Sequence, residues 1–181
     1  MTLYAFHKPF GVLSQFRDPD RPTLGDYIDI PEIYPAGRLD ANSEGLLLLT
    51  DNGREQAQIS DPRYHTQKTY HVQLDACPAA GFSARLVAGC DLKDGPMQAL
   101  RAQRLDSGAL SHGPHPGRLA EHRDRNSAWF ELTIDSGRNR IIRRFCAALG
   151  HPVLRLIRTS IGAIELGDLA VGSLREVRWR E

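Results

Sequence analysis

Four consecutive leucines, Leu46 to Leu49, set between Gly45 and Thr50, constrain the fold more than any other stretch of the sequence. A short unbroken apolar run bounded by turn residues reads as a strand buried on both faces, which other elements must cover. A polar loop, Gly37-Arg38-Leu39-Asp40-Ala41-Asn42-Ser43-Glu44-Gly45, feeds directly into it. Asp40 therefore stands at the mouth of a core strand, where rigid support and partial loss of water suit a carboxylate to nucleophilic or acid–base work. The same position also suits a turn aspartate that bonds its own backbone at Asn42 or Ser43. Glu44 adds a second carboxylate nearby, a weak sign of a paired-acid site.

The rest of the chain supplies partners for that strand. Leu3–Phe6 reads as a short strand entering a turn at Lys8-Pro9-Phe10-Gly11. Lys68–Leu74 and Ala128–Ile134 alternate and are rich in strand formers, as half-buried strands are, and Val153–Ile157 reads as a further strand. Helices are expected from about Gly53 to Ile59, capped by Asp51, over Ser83–Ala88, and over Arg140–Leu149, where Ile141, Ile142, Phe145, Cys146 and Leu149 make an apolar stripe that stops at Gly150. Arg17–Pro35 carries Pro19, Pro22, Pro31 and Pro35 and is expected as surface loop, and Gly108–Arg125 has no core periodicity and is expected to be mobile. This irregular mixture predicts an α+β class around a mainly antiparallel sheet.

Composition excludes several classes of protein. With 181 residues, 41% hydrophobic and 25% charged, the chain has the makeup of a globular protein of one domain or two tightly joined halves. No run approaches the roughly 18 apolar residues of a membrane span, and the first ten residues lack a signal-peptide core. Three cysteines, Cys77, Cys90 and Cys146, match no metal-binding spacing and point to a reducing, cytoplasmic setting, with Cys146 a core side chain. His112, His115 and His122 lie in a Gly/Pro-rich stretch with no cysteine pair and read as solvent-exposed rather than as a metal site.

The net charge is only +1, yet 20 of the 23 basic residues are arginine. Six of them, Arg138, Arg140, Arg143, Arg144, Arg155 and Arg158, fall in one stretch without an acid. The planar guanidinium fork suits phosphate and base recognition, whereas the bland reading is a solvated helix face.

Four ordered motifs resemble those of the RNA pseudouridine synthases, in the RsuA branch that modifies ribosomal RNA. Gly37-Arg38-Leu39-Asp40 with Ser43-Glu44-Gly45 through Asn52-Gly53 is similar to the family's aspartate signature. Lys8-Pro9-Phe10-Gly11-Val12 resembles its first motif, Lys68-Thr69-Tyr70 its lysine-x-tyrosine motif, and Gly137-Arg138-Asn139-Arg140-Ile141-Ile142-Arg143-Arg144 its arginine-rich motif. Ile141 stands where the family commonly has glutamine. The first motif begins at Lys8, so the chain resembles the subfamily without an S4-type RNA-binding domain, which acts on large-subunit ribosomal RNA, and residues 1–181 are expected to form a single catalytic domain of two α+β halves that share a mainly antiparallel sheet with a central RNA-binding cleft.

The resemblance implies isomerisation of a uridine to pseudouridine in 23S ribosomal RNA, without cofactor or metal, by a cytoplasmic monomer that needs no membrane. It implies that Asp40 is the essential carboxylate, that Tyr70 stacks on the uracil, and that Arg143 pairs with Asp40 and orients it. Ile142 would form an apolar floor, Arg38 would brace the loop or touch the flipped nucleotide, and Arg138, Arg140, Arg144, Arg155 and Arg158 would grip phosphates. The alternatives are the same chemistry on 16S ribosomal RNA or transfer RNA, a non-catalytic RNA-binding or ribosome-assembly module, and a hydrolase using Asp40 with Glu44.

Overall fold

The leucine run is the middle of a seven-residue strand, Glu44–Thr50 (β3), in which every residue is buried. In this computed structural model, residues 2–106, 110, 112–117 and 124–179 are described. The chain divides into two units, Met1–Lys68 with Ile157–Glu181 and Thr69–Leu156, so that the second interrupts the first in sequence. Both units mix helices with mainly antiparallel strands, the α+β class that the sequence predicts.

In the first unit β3 pairs antiparallel with Leu3–Lys8 (β1), in the register Leu3 to Thr50 through Lys8 to Gly45, and with the two-residue strand Tyr34–Pro35 (β2). Strand β1 also pairs with a late strand, Leu174–Val177, which becomes β11 in chain order. Strand β3 also has a parallel partner, Val153–Ile161 (β9), whose Ile157 and Arg158 run alongside Glu44 and Gly45. Gly45 makes that approach possible: its φ is +101°, and a β-carbon there would lie 2.3 Å from the Arg158 carbonyl oxygen. Strand β9 ends in a hairpin with Ile164–Glu165 (β10).

Leu47 and Leu49 pack with Phe6, Val12, Leu24, Ile28 and Ile33. The last three belong to the proline-rich stretch expected at the surface. Prolines there prevent a long element, yet Leu24, Ile28 and Ile33 still turn inward to cover the leucine strand. The helix Gly53–Ser60 (α1) is capped by Asn52, whose side chain accepts from the Arg54 amide, and not by Asp51, whose carboxylate accepts from the Thr2 amide instead.

In the second unit Lys68–Leu74 (β4), which begins one residue before the division, is followed in sheet order by Ala128–Ile134 (β8) and Arg101–Leu105 (β7). Phe82–Ala88 (α2) places its Phe82 ring 5.5 Å from that of Phe130. Cys90–Leu92 (β5) and Gly95–Met97 (β6) form a separate small hairpin. Ile141–Ala148 (α3) buries Ile141, Ile142, Phe145 and Cys146, the expected stripe except for Leu149, which caps the helix half-buried; the helix begins one residue later than expected because Arg140 has a left-handed backbone. Burial pushes the Cys146 thiol up to about 12, which makes it an inert core group. Among the described residues no helix is long and apolar enough to cross a membrane.

Candidate active site

Asp40 is half-buried in the loop between β2 and β3, and its neighbours are fixed on both sides. Leu39, 7% exposed, anchors the loop in the interior. The Ser14 hydroxyl donates to the Leu39 carbonyl at 2.7 Å and accepts from the Leu39 amide at 3.0 Å. On the other side the Ala41 carbonyl accepts from the Gly11 amide at 2.7 Å, and the Asp40 carbonyl accepts from the Ser43 amide at 3.0 Å. The Asp40 main chain thus makes a turn through its own carbonyl, which is not the side-chain bond of the bland reading, and the residue is partly exposed. Arg38, just before this anchor, is exposed.

A buried set of charges lies around the same loop. Lys8 is wholly buried, and its ammonium donates to the carbonyls of Pro9, Val12 and Ala41 at 2.8, 2.6 and 3.4 Å. Loss of water lowers its pKa to about 8; the negative charges of Glu44 and Asp40 pull it back up, and Arg158 adds to the lowering. Glu44 is 5% exposed and Arg158 3%. Arg158 donates from Nε to the Leu46 carbonyl at 2.7 Å, and its Nη2 is buried with no hydrogen-bond partner among the described residues. Arg158 is therefore part of the packed floor of this unit rather than the surface phosphate ligand expected from the sequence. The closure of Glu44 from solvent, beside a half-open Asp40, does not offer two carboxylates to one substrate.

The remaining motif residues lie in the second unit. Tyr70 on β4 is 7% exposed, and Ile142, in the first turn of α3, is 3% exposed. Arg143 follows it, half-buried, with Nη1 3.4 Å from the Val153 carbonyl. Arg138 and Arg144 converge on the β5–β6 hairpin. Arg144 holds Asp94 through two bonds, of 2.7 and 2.9 Å, and this pairing holds the Asp94 carboxyl below its ordinary value. Arg138 reaches the carbonyls of Asp94, Gly95 and Pro96. Their donors are thus spent largely within the protein. The run of arginines has no acid within it, but Asp94 supplies one from far away in sequence.

Arg155, 5% exposed, has a similar fate, donating to the carbonyls of His112, Gly113 and Pro114. His112 and His115 are half-buried rather than solvent-exposed. His71 Nδ1 lies 2.6 Å from His112 Nε2, with Glu131 3.3 Å from the other nitrogen of His71. His122 lies outside the described residues. Among the described residues no three side chains are grouped as a metal would need.

Residues 2–148 match the family described as RNA pseudouridylate synthase. The chain is 41% identical over 174 residues to ribosomal large subunit pseudouridine synthase E of Vibrio parahaemolyticus, covering 96% of this chain and 72% of that protein. It is 42% identical over 176 residues to the protein of the same name from Xanthomonas campestris, covering 96% and 94%. Among solved structures, one described as a pseudouridylate synthase superposes with a TM-score of 0.77 at 29% identity, over 98% of this chain and 70% of that one.

Proposed function

The chain belongs to the RNA pseudouridylate synthase family, and from that premise we propose that it isomerises a uridine of large-subunit ribosomal RNA with Asp40 as the reacting carboxylate. The observation that supports this role for Asp40 is its setting. It is a half-buried aspartate whose neighbours Leu39 and Ala41 are tied by hydrogen bonds to a buried framework. A nucleophile or base that must meet one ribose atom gains from such fixation, since a misplacement of about 1 Å can cost on the order of a hundredfold in rate.

The reaction breaks the N1–C1′ glycosidic bond and forms a C5–C1′ bond. C5 loses its hydrogen as a proton and N1 gains one, so nothing is oxidised and no co-reactant is consumed. Asp40 attacks the ribose or assists its deprotonation and holds the intermediate while the freed base turns. Tyr70 stacks on the uracil, Ile142 gives it an apolar floor, and the Arg143 guanidinium pairs with Asp40 and keeps it oriented. Extruding the base from its stack costs a few kcal/mol, which contacts to the RNA backbone offset. Arg38 and Arg140 make those contacts, whereas Arg138 and Arg144 mainly brace the β5–β6 hairpin.

Tritium release from ribosomal RNA labelled at uridine C5 tests the proposal, with wild type compared to Asp40→Asn on large- and small-subunit RNA. Release by wild type from large-subunit RNA, and none by the variant, is expected. Release from small-subunit RNA alone would move the substrate, and equal release by both proteins would remove Asp40 from the chemistry.

A further inference from the structure

Ser14 lies outside every motif that the family resemblance uses, yet its side chain makes two hydrogen bonds to the residue before Asp40. One oxygen both donates to the Leu39 carbonyl and accepts from the Leu39 amide, at 2.7 and 3.0 Å. Only a hydroxyl joins an O–H donor to acceptor lone pairs on a single atom at the end of so short a side chain. It does for Leu39 what a neighbouring strand's peptide would do, in a loop that has no neighbouring strand.

The oxygen is itself held in place. Ser14 is 4% exposed, and the residues on either side are bonded to a second segment. The Leu13 amide donates to the Pro22 carbonyl at 2.9 Å, and the Gln15 carbonyl accepts from the Leu24 amide at 2.8 Å. Leu24 is fully buried in the cluster that covers the leucine strand. Position is therefore passed from the core to residues 22–24, to residues 13–15, through one oxygen to Leu39, and so to Asp40.

We propose that Ser14 is a positioning residue for the isomerisation, fixing the Leu39 peptide and through it the placement of the Asp40 carboxylate. The proposal rests on the reading of Asp40 given above. Because Ser14 reaches the reaction only through the placement of that carboxylate, its loss acts on turnover and not on RNA affinity. It also leaves the Leu39 amide and carbonyl buried without their partner, so the loop shifts to find new ones.

The test measures kcat and KM for tritium release by wild type, Ser14→Ala, Ser14→Cys and Ser14→Thr, at a temperature where each is folded, together with hydrogen exchange at the Leu39 amide. Ser14→Ala and Ser14→Cys are expected to lose on the order of tenfold to a hundredfold in kcat, with KM changed less than about twofold. Leu39 exchange should quicken while that of the β3 amides does not. Recovery of kcat by Ser14→Thr, which keeps the hydroxyl, would add support. Wild-type kcat in folded Ser14→Ala or Ser14→Cys would overturn the proposal, as would failure of both to fold, which would assign Ser14 to the fold instead. If Asp40→Asn releases as much tritium as wild type, the reading of Asp40 fails and takes the proposal with it; wild-type activity with a dead Asp40→Asn and an indifferent Ser14 overturns the proposal alone.

Discussion

Lys8 shows how a single side chain couples the fold to the candidate site. Its ammonium gathers three carbonyls, one of them that of Ala41 beside Asp40, and burial brings its pKa from the ordinary 10.5 to about 8. Between those values the unfolded chain holds a proton that the folded chain has released, so this group makes the protein more stable as pH rises through the window. That contribution is fully present above 10.5 and is lost as pH falls through 8. The three-carbonyl clamp has the opposite dependence, since only the ammonium has one N–H for each carbonyl. Turnover should therefore fall above about pH 8 while the unfolding free energy of wild type relative to Lys8→Met rises. Parallel activity and urea-unfolding series from pH 7 to 10.5 check the divergence. At this scale the setting of Asp40, a polar loop running into a buried leucine strand, is legible in the sequence, while the role proposed for it comes from the family resemblance. Ser14 and Arg158 are not legible, because each acts on a backbone group, 25 and 112 residues away respectively, and no local pattern records that.

At the scale of elements, the arginine-rich segment divides by partner rather than by sequence. Arg144 and Arg138 fasten the β5–β6 hairpin, whereas Arg38 stands exposed beside the Asp40 loop. Each phosphate contact contributes about 0.7 to 0.9 to the salt slope of RNA binding. Arg38→Ala is expected to lower that slope by about one, and Arg144→Ala to leave it nearly unchanged while hydrogen exchange quickens across Cys90–Met97. Equal slopes for the two variants would contradict the division.

The segment 112–117 is a second case. It is held by Arg155 and by the His71–His112 pair, with Glu131 on the other side of His71. Burial keeps His71 below its ordinary pKa of 6.5 despite Glu131, so stability present above 6.5 is lost as pH falls through the lowered value. His71→Asn should show a shallower loss of thermal stability below that pH than wild type, measured by calorimetry. Long alternating strands such as β4 and β8 are readable from period alone, and strands β5, β6, β10 and β11, of two to four residues, are too short to carry one. The histidine and arginine partners are unreadable for a different reason: loop composition shows no periodicity even where the loop is strapped down.

For the molecule as a whole, the leucine strand predicts a covered interior but not what covers it. Part of the cover is the proline-rich stretch, whose buried Leu24, Ile28 and Ile33 are spaced too irregularly for any helix or strand template. Another part is the second half of β9, which re-enters the first unit at Ile157 and packs its Arg158 backbone against Gly45. Alanine at that position would meet the Arg158 carbonyl at 2.3 Å with a φ of +101°. Gly45→Ala should therefore cost about 3 kcal/mol or more of stability, read from the midpoint of urea unfolding. A loss below about 1 kcal/mol would mean that the two strands separate easily.

The interruption of one unit by the other also sets an order of events during synthesis. A ribosome making this chain delivers β1 and β3 early, but β9 and β11, which flank them, emerge only after residue 153 and residue 174. Residues 69–156 include the first four residues of β9, so they are complete before Ile157, the first residue that β9 returns to the first unit, is made. The unit that starts later in the chain can thus finish folding first, while the apolar leucine strand waits, incompletely covered, for Ile157 and the residues after it.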